Sequence, residues 1–292
     1  MGEIVGAALV SHVPPIVMPE ETRRELYEGN DTSLVEGLHR LRSECLDRLE
    51  PDTIVVFDTH WFTTFEHVVS GHDRRTGVFT SDELPRGMAQ VPYDFPGDPA
   101  LADSLERLAA DRDDTWVHST HDVCVPVHYP TINLLPFLQR AERWMSVGVC
   151  QTGEAADFLL FGELLAEAVR GLDRRVVVIA SGGLSHRFWP LRELRAHEAS
   201  GVEHIRTPAA RESDEQLVAR LERGEHAAIL AGYDELRRFS PEGLFAHYLM
   251  MVGAIGGAAC TAAGQRYSEY ESAAGTGQVH VWFERPERGW TA

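Results

Sequence analysis

Three continuous apolar runs stand out along the chain: IVGAALV at 4–10, TIVVF at 53–57 and VVVIA at 176–180. Runs of this length without polar alternation read as strands buried on both faces. Shorter β-rich segments lie at 67–70 and 145–150. Between them the apolar positions recur every three or four residues, the period of an amphipathic helix. The 33–49 stretch carries Leu34, Leu38, Leu41, Cys45 and Leu49 on one stripe, and 99–110 and 158–172 behave alike. Two further helices are expected at 212–223 and 227–239. Strands alternating with helices predict an α/β fold, with a mainly parallel central sheet flanked by helices. The Gly- and Pro-rich 71–99 stretch and the 274–278 stretch read as long loops. No linker, charge block or repeat divides the sequence, so a single domain over 1–292 is expected.

The chain has 14 histidines, and their positions matter more than their number. His12 follows the first buried run, His60 the second and His186 the run at 176–180. In open α/β sheets functional groups collect beyond the carboxyl ends of the strands, so these three converge on one face. Such a cluster suggests a metal. Two imidazoles with one carboxylate suit non-haem Fe(II), three imidazoles suit zinc, and spacing alone leaves both open. No HExxH pair is present. His39, His67, His72, His197, His204, His226 and His280 lie in polar or amphipathic surroundings and are assigned to the surface.

Charge narrows the partners. With 45 acidic and 27 basic residues the formal net charge is −18, which argues against nucleic acid or an anionic membrane as partner. The basic residues are all arginine, and an anionic substrate would need a locally basic pocket. Cys45, Cys124, Cys150 and Cys260 form no CxxC pair and fit four reduced thiols in a cytoplasmic protein. Neither a secretory leader nor an apolar run of membrane-spanning length is read.

An ordered series of segments adds a resemblance: SHVPP at 11–15, DTIVVFDTHWF at 52–62, GVFTSDELP at 77–85 and VPYDFPGDPAL at 91–101. It continues with IASGGLSHRF at 179–188, PEGLFAHYLMMVGAIGG at 241–257 and GTGQVHVWF at 275–283. Together they resemble the class III, protocatechuate-type extradiol ring-cleavage dioxygenases, in particular the homoprotocatechuate 2,3-dioxygenase and 2-aminophenol dioxygenase branch. The resemblance implies Fe(II) on His12, His60 and Glu242, with O2 as co-substrate; Mn(II) shares these ligand preferences. It implies His186 as the acid–base catalyst, with Tyr129 as a second proton donor and His121 beside it. The 120–135 segment matches more loosely, and His128 is assigned to the pocket with it. Arg187 is the candidate for holding a substrate carboxylate, against an ordinary surface role.

The implied reaction is O2-dependent cleavage of a substituted catechol. The branch favours 3,4-dihydroxyphenylacetate, opened by a 2,3-dioxygenase to a hydroxymuconate semialdehyde; protocatechuate-type and 2-aminophenol-type cleavage fit the same chemistry. A non-catalytic binding module of the same fold is the rival reading, and the presence of all three ligand residues argues against it. A homo-oligomer is expected, and the aminophenol branch adds a possible partner subunit. Glu242 carries a second reading from the residues themselves. Ser240-Pro241-Glu242 has the form of a cap followed by Pro at the first helical position, where a helix dipole would keep the carboxylate ionised.

Overall fold

A computed structural model describes residues 1–291. In chain order the strands are β1 (Glu3–Val10), β2 (Thr53–Thr63), β3 (His67–Ser70), β4 (Arg74–Phe79), β5 (Val91–Pro96) and β6 (Val117–Thr120). They continue with β7 (Arg143–Cys150), β8 (Arg175–Ser181), β9 (Gly264–Arg266), β10 (Glu271–Ala273), β11 (Thr276–Gln278) and β12 (Val281–Glu284). Eight of them form one mixed sheet in the order β6-β3-β7-β2-β8-β1-β12-β9. Its centre, β7-β2-β8-β1, is parallel throughout. Antiparallel pairing appears towards the edges, at β3–β7, β1–β12 and β12–β9.

The apolar runs are continuous because both sheet faces are covered. Successive side chains of a strand point to opposite faces. Leu9, Val55, Phe57, Val147 and Val178 join the core under the Ala155–Gly171 and Ala246–Ala254 helices. Their neighbours Ala8, Val10, Ile54, Val56 and Val177 join the opposite core under the Ser33–Leu41 helix. The two helices on the first face touch backbone to backbone: a Cβ at Gly162 would lie 2.2 Å from the Met250 carbonyl oxygen. A capping box between Glu154 and Asp157 starts the longer one.

Several expectations are corrected. The 71–99 stretch contains the antiparallel hairpin β4–β5 rather than a loop throughout. The strand expected to end at Phe57 runs on to Thr63. Of the 274–278 stretch, Thr276–Gln278 is a strand paired with β10. The 33–49 helix passes through a π-helical turn at Arg42–Leu46, and the one expected at 227–239 is broken at Gly232. His67, His72, His226 and His280, assigned to the surface, are all buried. His226 and His280 are anchored through ring nitrogens on the Ala262 and Leu34 carbonyls. All four cysteines are free thiols. No helix among the described residues is long and apolar enough to cross a membrane.

Candidate metal centre

His12, His60 and Glu242 meet at the carboxyl ends of the parallel strands. One ligand atom from each lies within 4.8 Å of the others. His12 leaves the sheet two residues after β1 ends, and the Asn133 side chain holds its carbonyl at 2.7 Å. His60 sits where the β2–β7 register slips between Asp58 and Phe62. Buried Asp58 closes that bulge, accepting from the backbone N–H of His60 and of Trp61 at 3.1 and 3.2 Å. Bulges of this kind re-aim a side chain.

The ring nitrogens are already sorted. His12 Nδ1 meets the Ser181 hydroxyl at 3.0 Å, and His60 Nδ1 meets Glu83 at 2.7 Å. Each Nε2 is left facing Glu242 Oε1, at 3.2 Å from His12 and 3.0 Å from His60. Outer partners that fix the tautomer and orientation of imidazole are the usual support of a metal-binding histidine. Burial alone would lower the His60 pKa, but Glu242 and Glu83 carry it up to about 9. A cation at the same point would take the place of that proton. The donor set of two imidazoles and one carboxylate therefore fits a divalent metal with open positions.

Glu242 departs from the helix-terminus expectation. The following helix begins only at Ala246, and Gly243, Leu244 and Phe245 all have left-handed backbone. No backbone N–H of that helix donates to the carboxylate. Instead the Gly183 N–H and the Thr59 hydroxyl donate to it. Burial opposes its charge, yet His186, His12 and His60 hold it well below the usual carboxylate range.

The loop after β8 brings His186 to the same place, its Nε2 3.7 Å from Glu242 Oε2. Backbone bonds fasten this loop to the Glu242 loop: the Glu242 N–H donates to Leu184 and the His186 N–H to Phe239. Asp214, buried on the Pro208–Glu222 helix, anchors it from behind, taking the Ser185 N–H and hydroxyl and the Tyr270 hydroxyl. Burial raises Asp214 to about 6 against these three donors. Burial and the neighbouring His12 and His60 also lower the His186 pKa, with Glu242 opposing. Tyr129 points its hydroxyl at His60 Nε2 across 2.6 Å, and burial followed by Glu242 keeps it protonated.

A cavity of about 300 Å³ opens over the cluster, with His12, Tyr129, His186 and Glu242 in its floor. Three sequence-derived residues are placed elsewhere. His121 is exposed and paired with Asp103 at 2.9 Å, away from the cavity wall. His128 stacks on Trp61 and faces a separate small pocket beside Phe95. Arg187 is exposed and spans to the Ser240 hydroxyl and the Arg238 carbonyl, at 3.0 and 2.9 Å. Position in a loop near the site says nothing of side-chain direction, which accounts for all three. Sequence reasoning missed Thr59, Glu83, Ser181 and Asp214. Thr59 and Glu83 lie inside the matching segments DTIVVFDTHWF and GVFTSDELP, whereas Asp214 has no local signal.

Comparison with known proteins agrees with this geometry. The chain is 27% identical over 265 residues to a 3,4-dihydroxyphenylacetate 2,3-dioxygenase of Escherichia coli, covering 88% of this chain and 91% of that protein. A crystal structure of an uncharacterized protein of Escherichia coli K12 shares the fold, with a TM-score of 0.63 and 18% identity over 96% of this chain and 99% of that one. The family described as the catalytic LigB subunit of aromatic ring-opening dioxygenase matches residues 6–284. The chain belongs to this LigB family and is an extradiol ring-cleavage dioxygenase.

Proposed function

We propose that this enzyme uses Fe(II), held by His12, His60 and Glu242, to cleave the ring of a substituted catechol with O2, next to one hydroxyl, giving a ring-opened hydroxymuconate semialdehyde. The observation that carries the reading is the convergence of two Nε2 atoms and one buried carboxylate within 4.8 Å, each imidazole oriented by an outer partner. Bound there, Fe(II) supplies the electron transfer that lets O2 react with a closed-shell diol, with positions left free for both reactants. The protein's own residues handle position and protons. His186, kept neutral by burial, accepts a proton from a substrate hydroxyl and returns it as the ring opens. Tyr129 stays protonated and is the second donor. The cavity walls hold the ring over the cluster, so that a multi-body encounter becomes a local one.

The test is O2 uptake by anaerobically Fe(II)-loaded protein with a panel of catechols, alongside the iron content of three variants. Uptake of one O2 per ring opened is expected, with iron lost in His12→Ala, His60→Ala and Glu242→Ala. His186→Ala is expected to keep iron and to turn over about 10²–10⁴-fold more slowly. Iron retained in all three ligand variants, or no uptake by iron-loaded enzyme with any catechol, would sink the proposal.

A further inference from the structure

The walls above the metal centre carry information about the substrate's far end. Met18, Leu26, Leu84, Phe188 and Leu194 face the cavity, and the charged residues lining it besides the floor histidines are Glu242 and Glu198. Among the described residues no arginine lines it, and the chain has no lysine to offer. Of the arginines beside lining residues in sequence, Arg86, Arg192 and Arg195 are exposed and line no part of the cavity, while others are engaged elsewhere. Arg23 is held by Asp31 at 2.7 and 2.8 Å and by the Met18 carbonyl at 2.7 Å, while Arg187 is spent on Ser240 and Arg238. Tyr27 and Thr276 contribute hydroxyls without charge.

Glu198 is half-buried on this wall, and no arginine or histidine pairs with it among the described residues. Glu83 adds a further negative charge behind His60. A substrate carboxylate at the far end of the ring would leave water for apolar walls and a carboxylate neighbour, with no cationic side chain on the wall to meet it. A hydrocarbon substituent would instead bury its surface on those side chains at a gain.

We infer that the substrate is a catechol whose ring substituent is apolar and uncharged, an alkyl or aryl group, and that Glu198 sets this specificity by excluding anions. The inference rests on the ring-cleavage reading above and departs from the carboxylate named in the substrate of the 27%-identical relative.

The experiment compares four compounds on the Fe(II)-loaded enzyme: 3,4-dihydroxyphenylacetate, its uncharged methyl ester, 4-propylcatechol and the ammonium compound 4-(2-aminoethyl)catechol. Dissociation constants come from anaerobic calorimetry, and kcat/KM comes from O2 uptake. The ester and 4-propylcatechol are expected to bind at least tenfold more tightly than the carboxylate and to lead in kcat/KM by a similar factor. Glu198→Arg is expected to shift the ester-to-carboxylate ratio at least tenfold towards the carboxylate. A preference for the carboxylate, a preference for the ammonium compound, or an unmoved ratio in Glu198→Arg overturns the inference. If none of the four is cleaved, the ring-cleavage reading fails, and the order of binding still decides this one. No binding by any of them overturns both.

Discussion

His67 and His60 carry the same ring and end at opposite protonation states. At His60 two carboxylates outweigh burial and push the pKa up to about 9. His67 is 3% exposed, packed between Phe161 and Phe158 with ring centroids at 4.7 and 5.9 Å, and its Nδ1 has no hydrogen-bond partner. Burial dominates there and pulls the pKa down to about 4, with Asp157 opposing weakly. The folded state therefore keeps His67 neutral at pH values where the unfolded chain, near the ordinary 6.5, binds a proton. Stability linked to this residue is complete above about pH 6.5, falls as the pH drops towards 4, and levels off below that. A shift of this size corresponds to about 3 kcal/mol. His67→Phe removes the titrating group and the unpaired nitrogen together. Urea midpoints taken from pH 7 to pH 4.5 are expected to fall less steeply in the variant than in the parent. Parallel slopes would show that His67 does not contribute to the acid sensitivity of the fold.

The left-handed stretch from Gly243 to Phe245 is the element that turns Glu242 into the site. Gly243 has φ +53°, and a Cβ there would lie 2.7 Å from Thr59 Cγ2, beside the hydroxyl that donates to Glu242. Gly257 has a similar φ of +60° with open space around its Cβ position, so it isolates the backbone effect from the contact. Gly257→Ala is expected to cost about 1 kcal/mol of stability and to leave iron content unchanged. Gly243→Ala is expected to cost about 1–3 kcal/mol and to lose iron affinity, because Thr59 and the carboxylate must shift. Equal iron retention in the two variants, measured by titration, would remove this turn from the metal site. The same element shows where sequence reading stops. Ser240-Pro241-Glu242 has the residues of a helix start, but no local pattern reports three successive left-handed residues. The buried strands were legible because both sheet faces are covered, which leaves runs such as VVVIA without polar interruptions. The β4–β5 hairpin was not, since its alternating exposure and its Gly and Pro residues look like a loop. The strands β9–β11, three residues each, are too short for any periodicity. His12, His60 and His186 could be read from their places after strands. Glu242 entered through resemblance, and no sequence pattern reports the side-chain directions that leave His121 beside Asp103, His128 stacked on Trp61 and Arg187 in the surface role also weighed for it.

At the scale of the whole molecule, 45 acidic residues against 27 arginines give a net charge of −18, and the cavity adds Glu198 to that field at its own wall. Local and global charge thus act in the same sense on an arriving anion. An aromatic diol without charge feels neither, whereas a catechol carboxylate meets repulsion during approach and again on entry. The approach component is screened by salt, since the Debye length falls from about 30 Å at 0.01 M to about 10 Å at 0.1 M. The entry component, set at short range by a half-buried group, is screened much less. Raising ionic strength from 10 to 300 mM is therefore expected to increase kcat/KM for 3,4-dihydroxyphenylacetate several-fold, while the value for its methyl ester stays flat. The ester is still expected to remain the better substrate at the highest salt, because the wall keeps its character after the long-range field has been screened. A carboxylate rate that falls with salt would mean that cations draw the anion in, which neither the net charge nor the cavity wall allows.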